Sequence, residues 1–227
     1  MAKELALVVD VETAGGFNNP LVYDLGLAVV VRATGEIIES RSLIVYDVFV
    51  GMKNEMQSAY YAEKIPTYDA GIKRGDHDLV RFFTAWGIVR ELVAKYGISR
   101  VYAYNAGFDR GALDNTLRVV SGGRYRHFMP RSVRWCCIWH MACQTILSQK
   151  RYRRFATANN MVSAAGNIRT SAEAAYAYMT NQPHFIEAHT GLEDVKIEAA
   201  ILAYVLRQKK RVSEKIARNP WRIPQSA

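Results

Sequence analysis

The chain opens on Leu5-Ala6-Leu7-Val8-Val9, a continuous apolar run that ends at Asp10. An unbroken, partly β-branched run of this length predicts a strand buried on both faces, Leu5–Asp10. Two more strands, Val22–Val31 and Glu36–Tyr46, are predicted on either side of the turn-like Thr34-Gly35. The period then lengthens. From Asp76 to Tyr96, Leu79, Phe82, Phe83, Trp86, Val89, Leu92, Val93 and Tyr96 fall at helical spacing. Asp76 is the expected N-cap of that helix and Gly97 its left-handed exit. A strand follows at Arg100–Tyr104, then a helix at Asp109–Val120 closed by Gly122-Gly123, then helices at Trp135–Leu147 and Ser171–Met179. The last strong helix begins near Thr190, where Thr190-Gly191-Leu192-Glu193 fits a capping box. Leu192, Val195, Ala199, Leu202 and Leu206 form its apolar face. Strands first, then helix–strand–helix, then further helices, predict one α/β domain with a central mixed sheet flanked by helices. Residues 219–227, with Pro220 and Pro224, are expected to be a C-terminal tail.

Composition narrows this picture without changing it. At 227 residues, 50% hydrophobic and 22% charged, the chain has the make-up of a globular domain with a substantial core. The opening run is too short for a signal-peptide core or a membrane span, and no later stretch is long enough to span, so a cytoplasmic protein without membrane contact is expected. Three cysteines, Cys136, Cys137 and Cys143, cannot build a disulfide framework.

Charge is more informative by position than in sum. The formal charge is +9, yet Asn115 to Ala172 holds ten Lys/Arg and no Asp or Glu. A second basic run, Arg207, Lys209, Lys210, Arg211, Lys215, Arg218 and Arg222, is opposed only by Glu214. Positive charge segregated in this way takes up polyanion phosphates by counterion release, although it also suits an ordinary solvated surface.

Three short acidic segments carry the candidate chemistry. In Asp10-Val11-Glu12 the residues are two apart on a strand, so both carboxylates leave on one side, and a hard cation such as Mg²⁺ or Mn²⁺ relieves their repulsion. In Asn105-Ala106-Gly107-Phe108-Asp109 a strand ends, Gly107 turns the chain, and Asp109 opens a helix, the kind of junction where ligand sites form in α/β sheets. In His189-Thr190-Gly191-Leu192-Glu193-Asp194 the histidine precedes a helix and Asp194 lies in its first turn. Singly, each has a structural explanation: two solvated acids, a helix cap, and a favourable charge at a helix dipole beside a surface histidine.

Taken in this order the segments resemble the DEDDh group of the DnaQ-like exonuclease superfamily, which has a ribonuclease-H-like fold. Asp10-Val11-Glu12-Thr13 matches the family's first motif, Asn105 through Asp109 its second, and His189 through Asp194 its third; Tyr23-Asp24-Leu25-Gly26 resembles the start of its second strand. The resemblance runs from about Leu5 to Leu206 and implies an exonuclease domain over 1–218, with a basic insertion around 121–172. It implies a metal-dependent 3′→5′ exonuclease acting on a single-stranded or 3′-ended nucleic acid, with DNA slightly favoured over RNA. It further implies two Mg²⁺ or Mn²⁺ ions held by Asp10, Glu12, Asp109 and Asp194, with His189 as general base, and it allows a homodimer. Thr13 and Asn105 are expected to hydrogen-bond near the scissile end, and Phe17 or Phe108 to stack on a base or simply pack, packing being favoured for Phe108. Two departures, the lengthened loop Gly15-Gly16-Phe17-Asn18-Asn19 and the basic stretch Ser121–Ala172, bear on substrate choice.

Rival readings are an exoribonuclease, a catalytically weak nucleic-acid-binding module, and a zinc protein. For the last, Cys136, His140 and Cys143 would lie at i, i+4 and i+7 on one helix; a buried helix face is the commoner meaning of such a stripe.

Overall fold

The computed structural model describes residues 3–16, 18–208 and 210–226. Six strands form one mixed sheet in the order β4-β3-β2-β1-β5-β6. Strands β1 (Leu5–Ala14), β2 (Leu21–Val31) and β3 (Ile37–Val45) form an antiparallel meander. Strands β4 (Asp78–Val80), β5 (Arg100–Ala103) and β6 (Arg134–Cys137) join it in parallel, β4 beside β3, β5 beside β1 and β6 beside β5. The expected fold class is the one observed.

Alternation along β1 separates two cores. Leu7 and Val9 face one layer with Leu25, Leu27, Phe82, Val89, Leu113 and Leu117; Ala6 and Val8 face the other with Ala28, Val30, Tyr102, Met141, Val195 and Leu202. This two-sided burial is why the opening run lacks a polar alternate.

Between β3 and β4, where the pattern predicts no element, the chain forms short helices α1 (Tyr46–Phe49) and α2 (Lys53–Gln57), then α3 (Ile65–Arg74). Helix α4 (Phe82–Lys95) follows β4, and α5 (Ala106–Val120) follows β5. Helices α6 (Ile138–Gln144), α7 (Lys150–Ala158), α8 (Ala172–Thr180) and α9 (Gly191–Leu206) build the second layer, with a short α10 (Arg222–Gln225) at the end. Residues 219–226 dock rather than trail: Gln225 exchanges two hydrogen bonds with the backbone of Ile168, each 3.0 Å.

Four expectations are corrected. Asp76–Val80 is not the start of α4: Asp78–Val80 pairs with Leu43–Val45 at the sheet edge. The cap of α4 comes from Asp47, whose Oδ2 accepts the Phe82 N–H at 2.7 Å, while Asp76 pairs with Arg74 at 2.7 Å. Trp135–Leu147 is not one helix, because Arg134–Cys137 adds a strand beside β5 before α6 begins. A short apolar run satisfies either element, and pairing with an open strand edge decides it.

Helix α5 starts three residues before Asp109, which therefore sits inside its first turn and is buried. Finally, Thr190 precedes α9 without forming a capping box: its side chain makes no cap bond, and Glu193 turns to Lys196 at 2.6 Å. The Gly191 N–H instead reaches a carboxylate across the fold, Asp24 Oδ2 on β2, at 2.8 Å. A charged acceptor makes the stronger bond. On α8 a side-chain cap does form: the Ser171 hydroxyl accepts the Ala174 N–H at 3.2 Å.

Candidate functional site

Residues Asp10 and Glu12 stand on the last turns of pleat of β1 and share the face that carries Ala6 and Val8, the side covered by α9. Opposite them in register on β2 lie Gly26 and Asp24. Gly26 is what lets α9 approach: a Cβ there would lie 1.9 Å from the Gly191 carbonyl carbon. Asp24, fully buried, then fastens the helix start, taking the Gly191 N–H and the Tyr68 hydroxyl, both at 2.8 Å. The segment Tyr23 to Gly26 thus sets the height at which α9 delivers Asp194.

Burial and crowding govern the electrostatics of this corner. Burial and the neighbouring charges of Glu198, Asp109, Glu12 and Asp194 hold the Asp10 carboxyl far above the usual carboxylate range. Glu12 is pushed up to about 9 by burial and by Asp194 and Asp24, against the lowering pull of Lys64. Burial lifts Asp109 to about 7, tempered by backbone hydrogen bonds from its own N–H and that of Val11. Asp194 is likewise lifted to about 7 by burial, with Lys64 pulling it down. Such a group of acids is unfavourable without a cation, because each charge is both desolvated and repelled.

Histidine 189 lies in the loop before α9 in a left-handed conformation, φ 50°. Its ring stacks on Tyr61 at 4.7 Å and 18°, and Lys64 Nζ holds the carbonyls of Ala188 and His189 at 2.5 and 3.0 Å. Burial, and then the Lys64 charge, lower its pKa. One ligand atom each from Glu12, His189 and Asp194 lies within 4.8 Å of the others. Asp194 Oδ1 is buried without a hydrogen-bond partner, as is Glu198 Oε2. Orphaned buried oxygens beside mutually repelling acids fit a hard divalent ion.

The structure therefore brings Asp10, Glu12, Asp109, His189 and Asp194 to one end of β1. Thr13 follows them on β1 across an irregularity in the β1–β2 register, half-buried, and Asn105 is exposed at the start of α5. Phe108 packs against the first core layer. Phe17 lies outside the described residues. Sequence reasoning missed Glu198, which is 3% exposed and shares the α9 face of Asp194 four residues on. The available signal was a second acid four residues after Asp194 on the otherwise apolar face of α9. It also missed Glu187, raised to about 8 by burial and the charges of Asp194 and Glu173.

The cysteine–histidine stripe does not assemble. Cys136 lies on β6 with its thiol toward Glu214 Oε2 at 3.4 Å, while His140 Nδ1 meets the Lys215 carbonyl at 2.7 Å. Groups of three suitable ligands among the described residues are Glu12, His189 and Asp194, and Glu173, Glu187 and His189, with no cysteine in either.

Sheet order, flanking helices and the acidic corner define a ribonuclease-H-like fold of the kind seen in DEDDh nuclease structures. Among solved structures, the chain is similar to the nuclease domain of 3'hExo, a DEDDh family member, bound to rAMP, with TM-score 0.59 and 14% identity over 94% of this chain and 98% of that one. It is similar to a full-length 3'-exonuclease, TM-score 0.57, 12% identical over 91% and 83% of the two chains. A third match is the 3'-exonuclease in a structure of 3'-end specific recognition of histone mRNA stem-loop, TM-score 0.55, 11% identical over 92% and 84%. No protein-family model matches the sequence, and no curated protein does.

Proposed function

We propose that this chain is a metal-dependent 3′→5′ exonuclease that removes nucleotides from the 3′ end of a nucleic-acid strand. The observation that carries it is the gathering of Asp10, Glu12, Asp109 and Asp194 with His189 at one end of β1, with buried oxygens that have no hydrogen-bond partner among the described residues. Asp10, Glu12, Asp109 and Asp194 would hold two Mg²⁺ or Mn²⁺ ions, which supply Lewis-acid charge to the scissile phosphate and to the departing 3′-oxygen.

The remaining work falls to side chains of the chain. His189 accepts the proton of the attacking water at a ring nitrogen; burial favours its neutral form, the form able to accept. Tyr61 and Lys64 fix the ring and its loop so that the base does not wander. As water adds to phosphorus, the bond to the 3′-oxygen breaks and that oxygen takes a proton from solvent, leaving a shortened strand with a 3′-hydroxyl and a nucleotide 5′-monophosphate. Thr13 and Asn105 would hydrogen-bond the terminal nucleotide, while Phe108 packs against the first core layer. The expected preference for DNA draws no support from the similar structures, two of which are described with rAMP or with a histone mRNA stem-loop, so RNA is the favoured strand. Nothing in those structures supports the homodimer.

The test is a strand labelled at its 5′ end, incubated with Mg²⁺ or Mn²⁺ and resolved by length. A ladder shortening one nucleotide at a time from the 3′ end, abolished by EDTA, is expected. Internal cuts, shortening from the 5′ end, or no cleavage would refute the reading.

A further inference from the structure

A cleft of about 930 Å³ lies between the outer face of α5 and the segment 211–216. That segment runs along the outer edge of β6, where the Cys137 N–H donates to the Glu214 carbonyl at 2.9 Å. One end reaches the first turn of α5: Ile216 Cγ2 is 3.4 Å from where a Cβ of Gly107 would stand, two residues before Asp109. The cleft therefore begins at the first turn of α5, on the outer face of that helix, and runs from there toward Arg131 and Arg134.

Its lining is basic, and its acids are already occupied. Glu214 meets Arg134 at 2.8 Å, Arg100 at 3.4 Å and Arg32. Asp114 faces Arg110 at 3.8 Å and His127 at 3.6 Å. Arg131, Arg211 and Lys215 also line the cleft and make no ion pair among the described residues. Trp135, half-buried, supplies an aromatic surface within the same lining. Both basic runs of the sequence meet here, Arg131 and Arg134 from the 121–172 stretch, Arg211 and Lys215 from the C-terminal one.

We infer that this cleft binds the phosphodiester backbone of a single strand on the 5′ side of the nucleotide held at the acidic corner. The inference rests on the proposed nuclease reading for what lies at the far end. Arginines that line one cleft and make no ion pair among the described residues suit phosphates, and an aromatic lining suits an unpaired strand. The long insertion thus acquires a role the acidic motifs do not imply: it sets how much of the substrate is gripped.

Binding is measured by fluorescence anisotropy with the full chain in EDTA, so that no turnover occurs and a failure here is seen separately from a failure of the nuclease reading. The probes are labelled 12-nucleotide RNA and DNA strands, the corresponding duplexes and a dinucleotide. Replacing Arg131 and Arg211, both exposed, by alanine together is expected to weaken binding of the 12-mer by about 10- to 100-fold and to lower the salt dependence by about two released ions. Dinucleotide affinity should change by less than twofold, and R131K with R211K should recover most of the loss. Arginine dependence with either strand chemistry supports the cleft. Twelve-mer binding within twofold of the parent with an unaltered salt slope, or a stronger preference for the duplexes, would overturn it.

Discussion

The acidic corner and the basic cleft are both reached from the first turn of α5, yet they are built on opposite plans. In the corner the carboxyls are buried, only partly hydrogen-bonded and raised in pKa: Asp109, Asp194 and Glu198 are at most 7% exposed. In the cleft the charges are exposed and partly neutralised by ion pairs in which Glu214 and Asp114 take several partners each. A buried like-charge cluster costs folding free energy that a bound cation or a proton relieves, whereas an exposed basic surface costs little and acts at a distance. The contrast assigns chemistry to one region and grip to the other.

Removing a carboxylate should separate the two most sharply. Asp10→Asn is expected to lower nuclease turnover by about a thousandfold or more, while 12-mer binding in EDTA holds or tightens, since a negative charge is lost. Turnover within tenfold of the parent would remove Asp10 from the reacting centre. His189→Gln should cost about a hundredfold or more in kcat with little change in KM. If KM alone rises, the imidazole binds substrate and is not a base.

Next in size is a backbone effect. Gly26→Ala drives a methyl into the Gly191 carbonyl and should cost about 3 kcal/mol, displacing α9 and with it Asp194. Chemical denaturation reads the loss; a fully stable and active variant would show that the close approach is not needed.

The smallest effect is on pH. Asp109 and Asp194, ordinarily near 3.8, titrate at about 7, and Glu12, ordinarily near 4.5, at about 9. The folded state therefore binds more protons than the unfolded chain, so their contribution makes metal-free stability fall as pH rises from about 4 to about 9. The melting temperature in EDTA should drop by several degrees between pH 6 and 9, and Mn²⁺ should flatten the slope. A melting temperature that climbs over that range would show these acids to be stabilised by something other than a cation.

What was legible in the sequence follows the same divide. Asp10 and Glu12 on a strand, and Asp194 on a helix, obey periods of two and 3.6, so their faces can be read from spacing. Asp109 required only that a strand meet a helix, and the error of three residues at the start of α5 left the site intact. Interactions between distant segments were not legible. The capping box at Thr190 has the right letters, but Asp24, 167 residues away, supplies the acceptor. The helix expected at Trp135–Leu147 began as a strand because an open edge of β5 was there to receive it. The cleft was hidden for the same reason: Arg131 and Arg211 lie eighty residues apart and meet only through the edge of β6.

Isothermal titration of Mn²⁺ into the metal-free chain tests the central claim most directly. Two ions should bind the parent protein, and Asp10→Asn or Asp194→Asn should lose at least one of them with the fold intact by circular dichroism. No binding heat with the parent, or two ions retained in both variants, would contradict the assignment of the acidic corner as a metal centre.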